Sequence, residues 1–525
     1  MLVNRFLERS AACVPEKTAV VFDGGRYSYA SLERAANRLG HLLRTNGVVR
    51  GDRVVIHLGN GVDAVASVFA VSKASAAFVP VAPQTRPERL AYLLNDCRAS
   101  ALITTAQGAA AVLATTAPLP HLRVLLVIDS DAEGCVGGIR IVAATRAILF
   151  EGGPSGTAIG SEAPPAQQNI DLDLAAVMYT SGSTGRPKGV MLTHLNVASA
   201  AASIIQYLTN TADDVILNVL PMSHGYGLYQ ALTAVKVGAT LVIERSFAYP
   251  HAVLSALERE KATGFALVPT IVSTMTKIDL HKYDLSSLRY ITSAAAALPV
   301  ERIRRLRVLL PHVSLFSMYG LTECQRVSFL SPDEIDARPN SVGKGMPNEE
   351  VYIADEQGRP VGPGVVGELV VRGAHVMHGY WNLPEETARR LRPGPLPHQR
   401  LLFTGDLFRM DEEGYLYFVA RSDDIIKTGG EKVCPREVED VLYRLEAVEE
   451  AAVVGVPDET LGQVVKAIVA LKAGASLTAA HVRRHCTRHL EPWMVPSVVD
   501  FIAALPHTAS GKIDMRALAL GEEVA

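Results

Sequence analysis

The chain of 525 residues lacks the features typical of membrane-spanning, nucleic-acid-binding and disulfide-linked proteins. It contains no apolar run long enough to cross a bilayer. Its net charge of −3 offers no basic surface for nucleic acid. Its six cysteines are scattered without a Cys-x-x-Cys pair, which favours free thiols in a reducing compartment. Charged residues interrupt the N-terminal segment, so no signal-peptide core is expected and a cytoplasmic location is predicted.

Three histidines have a spacing that metal ligands can have. His481, His485 and His489 are four residues apart, so on a helix they would share one face, where zinc is conceivable. Three arginines crowd the same stretch, and their positive charge disfavours a bound cation. A solvated helix face is therefore the favoured interpretation.

The length exceeds what one hydrophobic core usually serves, so two or more domains are expected. Up to about residue 330, helix-like and strand-like segments alternate, which predicts an α/β fold with mostly parallel sheets covered by helices. Residues 131–170 are rich in Gly, Ala, Ser and Pro and are predicted to be a surface excursion. The predicted helices are 32–43, 62–74 and one that begins at Pro87, and the predicted strands are 53–58, 78–81, 101–104, 123–129 and 174–179.

The pattern changes after about residue 330. Short strands separated by Gly/Pro turns predict a small β-rich subdomain over about 335–420. The chain restarts after residue 424, and about 100 residues is enough for a separate domain. This C-terminal α+β unit is predicted to contain helices at 435–445 and 479–490 and strands at 451–456, 464–471 and 498–502.

The most informative segment runs from residue 179 to residue 194, directly after a predicted buried strand. Between positions 180 and 189 it carries four hydroxyls, three glycines and two cations. Glycines let the backbone approach a ligand, hydroxyls add donors, and Lys188 supplies positive charge for phosphate. The segment therefore predicts a cradle for a nucleotide triphosphate, formed by Thr180, Ser181, Gly182, Ser183, Thr184, Gly185 and Lys188.

The segment differs from two other Gly-rich patterns, the P-loop and the flexible linker. In the common P-loop, Lys directly follows a glycine and precedes Ser or Thr, whereas here Pro187 precedes the Lys and Gly189 follows it. A flexible Ser/Gly/Thr linker is opposed by the Arg-Pro-Lys-Gly sequence and the apolar flanks. Read whole, the segment resembles the phosphate-binding signature of the adenylate-forming superfamily. That group holds acyl- and aryl-CoA synthetases, adenylation domains of nonribosomal peptide synthetases, and beetle luciferases.

A second motif, Ser-Met-Tyr-Gly-Leu-Thr-Glu at 317–323, lies where a predicted strand gives way to a loop. It resembles the second nucleotide signature of the superfamily, and the alternative is a capped turn with a buried tyrosine. The resemblance implies that Tyr319 stacks on adenine beside Gly320, that Thr322 contacts the α-phosphate, and that Glu323 holds Mg²⁺. Magnesium prefers carboxylate and phosphate oxygens, which agrees with that role. The neighbouring Cys324 is expected to serve packing.

The resemblance extends to the ribose site. Thr-Gly-Asp at 404–406 matches the segment whose aspartate binds the ribose hydroxyls, a role suited to a carboxylate that accepts two O–H bonds. Arg421 would follow it at the ribose and phosphates. The superfamily usually has glycine before that arginine, whereas this chain has Ala420, which affects backbone freedom only.

The resemblance also implies that the domains alternate between two arrangements. Asp423 matches the hinge position, and Gly429 and Gly430 match the loop that faces the active site during thioester formation. Lys512, in Ser-Gly-Lys near the chain's end, matches the catalytic lysine of the adenylation step. Residues 1–420 would then form the adenylation domain, 421–424 the hinge, and 425–525 the small mobile domain.

Residues 221–227 match the gate region of the superfamily, where His224 would border the substrate carboxylate and Tyr226 and Gly227 would line the acyl pocket. No acidic residue occurs between Met222 and Glu244, where amino-acid-activating relatives generally anchor the substrate ammonium. This absence argues for a fatty, aryl or hydroxylated acid without a charged α-amine.

A second segment bears on the size of the acid. Ala295 and Ala296 stand where relatives often carry glycines, and the extra methyl groups could narrow the acyl tunnel. Small or aromatic acids are therefore favoured, and an aliphatic tail stays open.

Taken together, the motifs predict an ATP-dependent carboxylic acid ligase. It would activate a fatty or aromatic acid as acyl-AMP, release pyrophosphate, and pass the acyl group to the thiol of CoA or of a phosphopantetheinyl carrier protein. The alternatives are a stand-alone adenylation enzyme with a carrier protein or a non-thiol acceptor, a non-catalytic adenylate-binding regulator, and an oxygenase of luciferase type. The expected catalytic residues are Lys512, His224, Thr322 and Glu323, with ATP and Mg²⁺ as cofactors.

Overall fold

The computed structural model describes residues 1–152, 162–180, 187–296, 298–422, 424–508 and 513–520. The chain forms two compact units. The first unit comprises residues 1–339, 345–350 and 372–400, and the second comprises residues 340–344, 351–371 and 401–525. No helix in the described part of the chain combines the length and the apolar character needed to cross a bilayer.

The N-terminal region alternates between helices and strands as the sequence predicts. Ser28 caps the second helix by accepting a hydrogen bond from the N–H of Ser31, and Pro87 begins the fourth, where proline sacrifices no hydrogen bond. The elements are α1 (Asn4–Cys13), β1 (Thr18–Phe22), β2 (Gly25–Ser28), α2 (Tyr29–Thr45), β3 (Arg53–His57), α3 (Val62–Lys73), β4 (Ala77–Val81), α4 (Pro87–Asp96), β5 (Ala99–Thr104), α5 (Ala106–Leu113) and β6 (Val124–Val127).

The predicted surface excursion at 131–170 is wrong for its first part. Two strands form there, β7 (Gly134–Val136) and β8 (Ile139–Ala143), followed by a π-helical turn at Ala147–Gly152. β8 pairs in parallel with β6, and β7 pairs with β8 across a turn in which Gly137 and Gly138 have φ of 58° and 82°. The turn glycines and the short, mostly exposed strands produce a composition like that of a loop, which explains the error.

The rest of the first unit continues the alternation. Four of its elements, β9, β10, β15 and α7, carry predicted site residues at their ends. The elements are β9 (Leu174–Thr180), β10 (Lys188–Thr193), α6 (His194–Leu208), β11 (Val215–Asn218), α7 (Gly225–Val237), β12 (Thr240–Ile243), α8 (Pro250–Arg259), β13 (Gly264–Leu267), α9 (Pro269–Met275), β14 (Tyr290–Ser293), α10 (Val300–Leu309), β15 (Ser314–Tyr319), β16 (Ser328–Leu330) and β17 (Lys344–Gly345).

Strands predominate in the next part of the chain, and an α+β arrangement follows. The elements are β18 (Glu349–Ala354), β19 (Gly367–Gly373), β20 (Gly379–Tyr380), α11 (Pro384–Arg390), β21 (Leu391–Pro393), β22 (Arg400–Met410), β23 (Leu416–Arg421), β24 (Ile426–Thr428), β25 (Glu431–Val433), α12 (Pro435–Leu442), β26 (Val448–Asp458), β27 (Gly462–Leu471), α13 (Ala479–Thr487), β28 (Val498–Ile502) and α14 (Met515–Leu520).

Two sheets of nine described strands each organise the first unit, in the orders β17-β16-β15-β14-β13-β11-β12-β1-β2 and β20-β10-β9-β4-β3-β5-β6-β8-β7. Their interior pairs, such as β13 with β14 and β3 with β4, are parallel, and antiparallel strands stand toward the edges. Val55, Leu102 and Leu125 on adjacent strands are fully buried in one core cluster. The predicted α/β class is confirmed.

The second unit contains a β-rich part and an α+β part. Its β-rich part includes β19, β22 and β23, which pair antiparallel. In the α+β part, α12 and α13 pack their apolar faces on β26 and β27 through Val438, Leu442 and Val482. Asp423 lies outside the described residues, so the domain boundary at 420 and the hinge stay predictions.

The three histidines of interest lie in and just after α13. His481 and His489 are exposed. His485 is half-buried, and its Nε2 lies 3.1 Å from the carbonyl oxygen of Val441 on α12. The ring of His485 therefore packs against α12, whereas His481 and His489 lie on a solvated face.

Candidate active site

The first motif lies on the hairpin of β9 and β10. Thr180 and Lys188 are register partners at the end of this ladder. The residues between them include Ser181, Gly182, Ser183, Thr184 and Gly185, and these five lie outside the described residues.

Lys188 is held by an acidic side chain. Its Nζ donates to Oε2 of Glu386 at 2.7 Å and lies 5.7 Å from the ring centroid of Tyr380. Both partners come from one segment, because β20 pairs with β10 and α11 follows it. The hydrogen bond from Lys188 lowers the pKa of Glu386. A carboxylate thus already neutralises the cation that the sequence assigns to phosphate.

Tyr380 connects this motif with the second one. Its hydroxyl donates to Oε1 of Glu323 at 2.6 Å. Burial, followed by the charge of Glu323, raises the pKa of Tyr380, so the phenol stays a neutral donor. A backbone hydrogen bond also holds Glu323 in position, because the N–H of Met377 donates to its carbonyl oxygen at 2.7 Å. A carboxylate oriented by a phenol suits a hard cation such as Mg²⁺.

A tight turn after β15 presents Thr322 and Glu323. A Cβ at Gly320 would collide with the carbonyl oxygen of Gln325 and lie 2.9 Å from Cα of Arg326, so only glycine permits this turn. Gln325 has φ of 66°, and its Nε2 donates to the carbonyl oxygen of Thr322 at 2.9 Å. The turn lies beyond the carboxyl end of a parallel strand, where α/β sheets bind ligands. Its neighbour Cys324 is fully buried, in agreement with a packing role.

The gate residues lie at the start of α7. His224 is the residue before the helix, and its Nδ1 lies 3.1 Å from Oγ of Ser223. A Cβ at Gly227 would lie 2.6 Å from the carbonyl oxygen of Leu220, so the chain approaches too closely for any side chain. A Cβ at Gly225 would collide with the side chain of Gln325, which places the gate against the turn of the second motif.

Tyr226 joins the gate to the alanine segment. Its hydroxyl lies 2.7 Å from Oγ1 of Thr292 on β14. Ala295, just beyond that strand, is half-buried with φ of 78°, and Ala296 is exposed. The structure brings Tyr226 into contact with β14, the strand that precedes Ala295 and Ala296. The role of Tyr226 and of the two alanines as walls of the acyl pocket stays a prediction.

The predicted ribose residues lie in the second unit. Asp406 on β22 and Arg421 on β23 are register partners, and Arg421 Nε lies 3.6 Å from Asp406 Oδ1. Thr404 accepts a hydrogen bond from the N–H of Asp406 at 3.2 Å. Thr-Gly-Asp is thus part of a strand, with Gly405 at φ of 74°. That these residues share one nucleotide with Tyr319 stays a prediction.

The remaining predicted residues also belong to the second unit. Gly429 and Gly430 form the two-residue turn of the β24–β25 hairpin with φ of 57° and 91°, so the predicted loop is a tight hairpin. Lys512 lies outside the described residues, next to Ile513, which forms an antiparallel bridge with His507. His507 in turn lies 3.2 Å from Glu450, so this end of the chain is attached to β26.

Sequence reasoning missed Tyr380 and Glu386. Their positions, in Gly-Tyr-Trp at 379–381 and in a short acidic helix start, carry no local signal for nucleotide chemistry. Only the pairing of β20 with β10 brings them to Lys188 and Glu323.

Comparisons with known proteins identify the family of the chain. Residues 7–381 match the family described as AMP-binding enzyme, and residues 437–512 match the AMP-binding enzyme C-terminal domain. A long-chain-fatty-acid–CoA ligase of Bacillus subtilis is 32% identical over 532 residues, covering 98% of this chain and 94% of that protein. A feruloyl-CoA synthase of an Amycolatopsis species is 34% identical over 508 residues, covering 96% of each.

A solved structure has the same overall fold. ATP-bound MatB from Rhodopseudomonas palustris matches with a TM-score of 0.86 and 27% identity, over 99% of both chains. The chain therefore belongs to the AMP-binding enzyme family, and its resemblance to the adenylate-forming superfamily is confirmed.

Proposed function

We propose that this protein is an ATP-dependent, AMP-forming carboxylic acid ligase. It activates a fatty or aromatic acid as acyl-AMP with release of pyrophosphate, then transfers the acyl group to the thiol of CoA or of a phosphopantetheinyl carrier protein. The observation that supports the proposal is that Tyr380 contacts both Lys188, the predicted phosphate cation, and Glu323, the predicted magnesium ligand.

The first half-reaction is limited by charge. A carboxylate oxygen must attack the α-phosphorus of ATP and expel pyrophosphate, so an anion approaches a polyanion. Lys188 contributes a cation, and the turn after β15 supplies Thr322 for the α-phosphate. Magnesium bound at Glu323 would supply further positive charge to the phosphates. Lys512, the residue next to the His507–Ile513 bridge, would complete the site.

The second half-reaction needs no nucleophile from the protein. The acceptor sulfur attacks the acyl carbonyl carbon, the bond to phosphate breaks, and AMP leaves. Gly429 and Gly430, at the tip of an exposed hairpin, would make room for the pantetheine arm. Asp406 and Arg421 would hold the ribose in both steps. The six scattered cysteines, with no Cys-x-x-Cys pair among them, support a cytoplasmic location.

The test is pyrophosphate release by the full chain with ATP and Mg²⁺ across a panel of fatty, aromatic and hydroxylated acids. CoA and a holo carrier protein are supplied in turn, and products are identified by mass. We expect acid-dependent formation of AMP and pyrophosphate in equal amounts, followed by thioester with one of the two thiols. Formation of ADP, or no pyrophosphate with any acid, would overturn the proposal. Oxygen uptake or light emission would identify the oxygenase instead.

A further inference from the structure

Arg326 is a buried cation three residues after Glu323. Only 4% of its surface is exposed, and its Nε has no hydrogen-bond partner. Within the described part of the chain, no carboxylate forms an ion pair with it. Its guanidinium carbon lies 4.9 Å from the ring centroid of Tyr226. An arginine so deeply buried normally has an anionic partner.

Three tyrosines surround this arginine. Burial raises the pKa of Tyr207, Tyr226 and Tyr229, and the positive charge of Arg326 opposes the rise at each of them. All three phenols are therefore neutral near pH 7. We call Arg326 and these tyrosines the arginine cluster.

The buried carboxyl group of Glu349 does not neutralise the cluster. The charge of an ionised Glu349 would raise the pKa of Tyr207. Oε2 of Glu349 lies 2.9 Å from Nε2 of His375. Burial raises the pKa of Glu349 to about 9, so this carboxyl group is protonated at neutral pH. The face of the Tyr226 ring attracts the guanidinium, but the free energy of this cation–π contact is smaller than the desolvation cost of a buried cation. The described residues thus leave a positive charge that a bound anion can neutralise.

The position of the cluster indicates which anion that is. Tyr226 belongs to the gate, and Arg326 is carried by the turn that presents Thr322 and Glu323. Because Tyr226 is predicted to line the acyl pocket, the contact of Arg326 with its ring favours the acid as the anion.

We propose that Arg326 binds a second carboxylate on the substrate, so that the protein activates one end of a dicarboxylic acid. This inference rests on the proposed ligase function and narrows its substrate class. Arginine suits the role because its planar guanidinium recognises a carboxylate through paired hydrogen bonds. Arg326 would determine specificity and would not take part in bond formation.

The test compares matched substrates. Pyrophosphate release is measured with ATP, Mg²⁺ and CoA for aliphatic and aromatic dicarboxylic acids and for the monomethyl ester of each. We expect the wild-type protein to prefer the diacid by at least about tenfold in kcat/KM. Arg326→Met removes the charge at similar length, and it should abolish that preference while leaving the rate with the monoester within about twofold. Arg326→Lys should retain part of the preference.

A binding measurement separates recognition from folding. A diacid should raise the melting temperature of the wild-type protein and not that of Arg326→Met. Without ligand, Arg326→Met should melt no lower than wild type, because it removes an uncompensated buried charge. Equal losses with diacid and monoester would show that Arg326 pairs with the reacting carboxylate, which overturns the inference.

The failure of the inference is distinguishable from failure of the ligase function. A wild-type protein that releases pyrophosphate with monoacids and ignores diacids would overturn the role of Arg326 alone. Absence of pyrophosphate with every acid would overturn the ligase function itself.

Discussion

Lys188 donates a hydrogen bond to Glu386 across 2.7 Å, so the cation of the first nucleotide motif has an anionic partner before ATP arrives. The two side chains are only 16% and 27% exposed, and Glu386 is also bonded to Arg389. Under the proposed function, ATP would compete with this carboxylate for Lys188, and Glu386 accepts the hydrogen bond that the proposal assigns to a phosphate oxygen.

Glu386→Gln should lower the KM for ATP by up to about fivefold, since a partly exposed ion pair contributes about 1 kcal/mol or less. Initial rates of pyrophosphate release against ATP concentration measure this. Glu385→Gln is the matched control, because it removes the same charge from an exposed position on the same helix. A higher KM in Glu386→Gln would mean that Glu386 orients Lys188 toward the phosphates rather than competing with them.

Tyr380→Phe should reduce kcat by roughly tenfold or more and raise the Mg²⁺ concentration needed for half-maximal rate. The substitution removes the hydroxyl that holds Glu323, and a hydrogen bond to a charged group is worth about 1.5–3 kcal/mol. A magnesium titration of pyrophosphate release provides the readout. Tyr283→Phe, which removes a hydroxyl bonded to His251 on another part of the first unit, controls for the chemical change. An unchanged magnesium dependence would remove Tyr380 from the metal site.

Lys512→Ala should abolish adenylate formation and spare thioester formation from a supplied acyl-adenylate. The lysine is expected to contact the α-phosphate only in the first half-reaction. Pyrophosphate release and thioester production are measured separately, with Lys472→Ala, an exposed lysine of the same unit, as control. Equal loss of both half-reactions would contradict the two-arrangement mechanism.

The buried pair of Glu349 and His375 should make stability depend on pH. Burial raises the pKa of Glu349 to about 9 and lowers that of His375 to about 4. The contribution of protonated Glu349 is complete below its unfolded pKa and is lost as pH rises toward 9. The contribution of neutral His375 is present above pH 6.5 and is lost as pH falls toward 4.

Of these two groups, only Glu349 changes its contribution between pH 7 and 9. Its ionisation lowers the free energy of unfolding by up to about 1.4 kcal/mol per pH unit. The melting temperature of the wild-type protein should therefore fall over this range. Glu349→Gln, which stays neutral, should flatten the decline. Identical slopes in both proteins would show that other groups cause the pH dependence.

The predicted alternation of strands and helices succeeded where apolar periodicity was strong. The ranges predicted for α2, β3 and α3 agree with the structure to within a few residues, because buried faces leave a regular spacing in the sequence. The prediction failed at β7 and β8, where short strands around a glycine turn bury too little to leave such a pattern.

The same distinction applies to the site. Local sequence predicted a phosphate cradle around Lys188 from its glycines, hydroxyls and charges. The roles of Thr322 and Glu323 came from the family resemblance, and all three assignments stay predictions. Tyr380 and Glu386 follow Glu323 by more than 50 residues, and nothing in the sequence around Arg326 indicates that its side chain is buried.

Only the folded chain decides which distant side chains share one desolvated space. Whether Lys188 meets a carboxylate, and whether Arg326 is left without one, depends on strand pairing and on turns that join separate segments. A sequence specifies which charges exist, whereas the tertiary structure sets their separation and hydration, and these two quantities determine what each charge can bind.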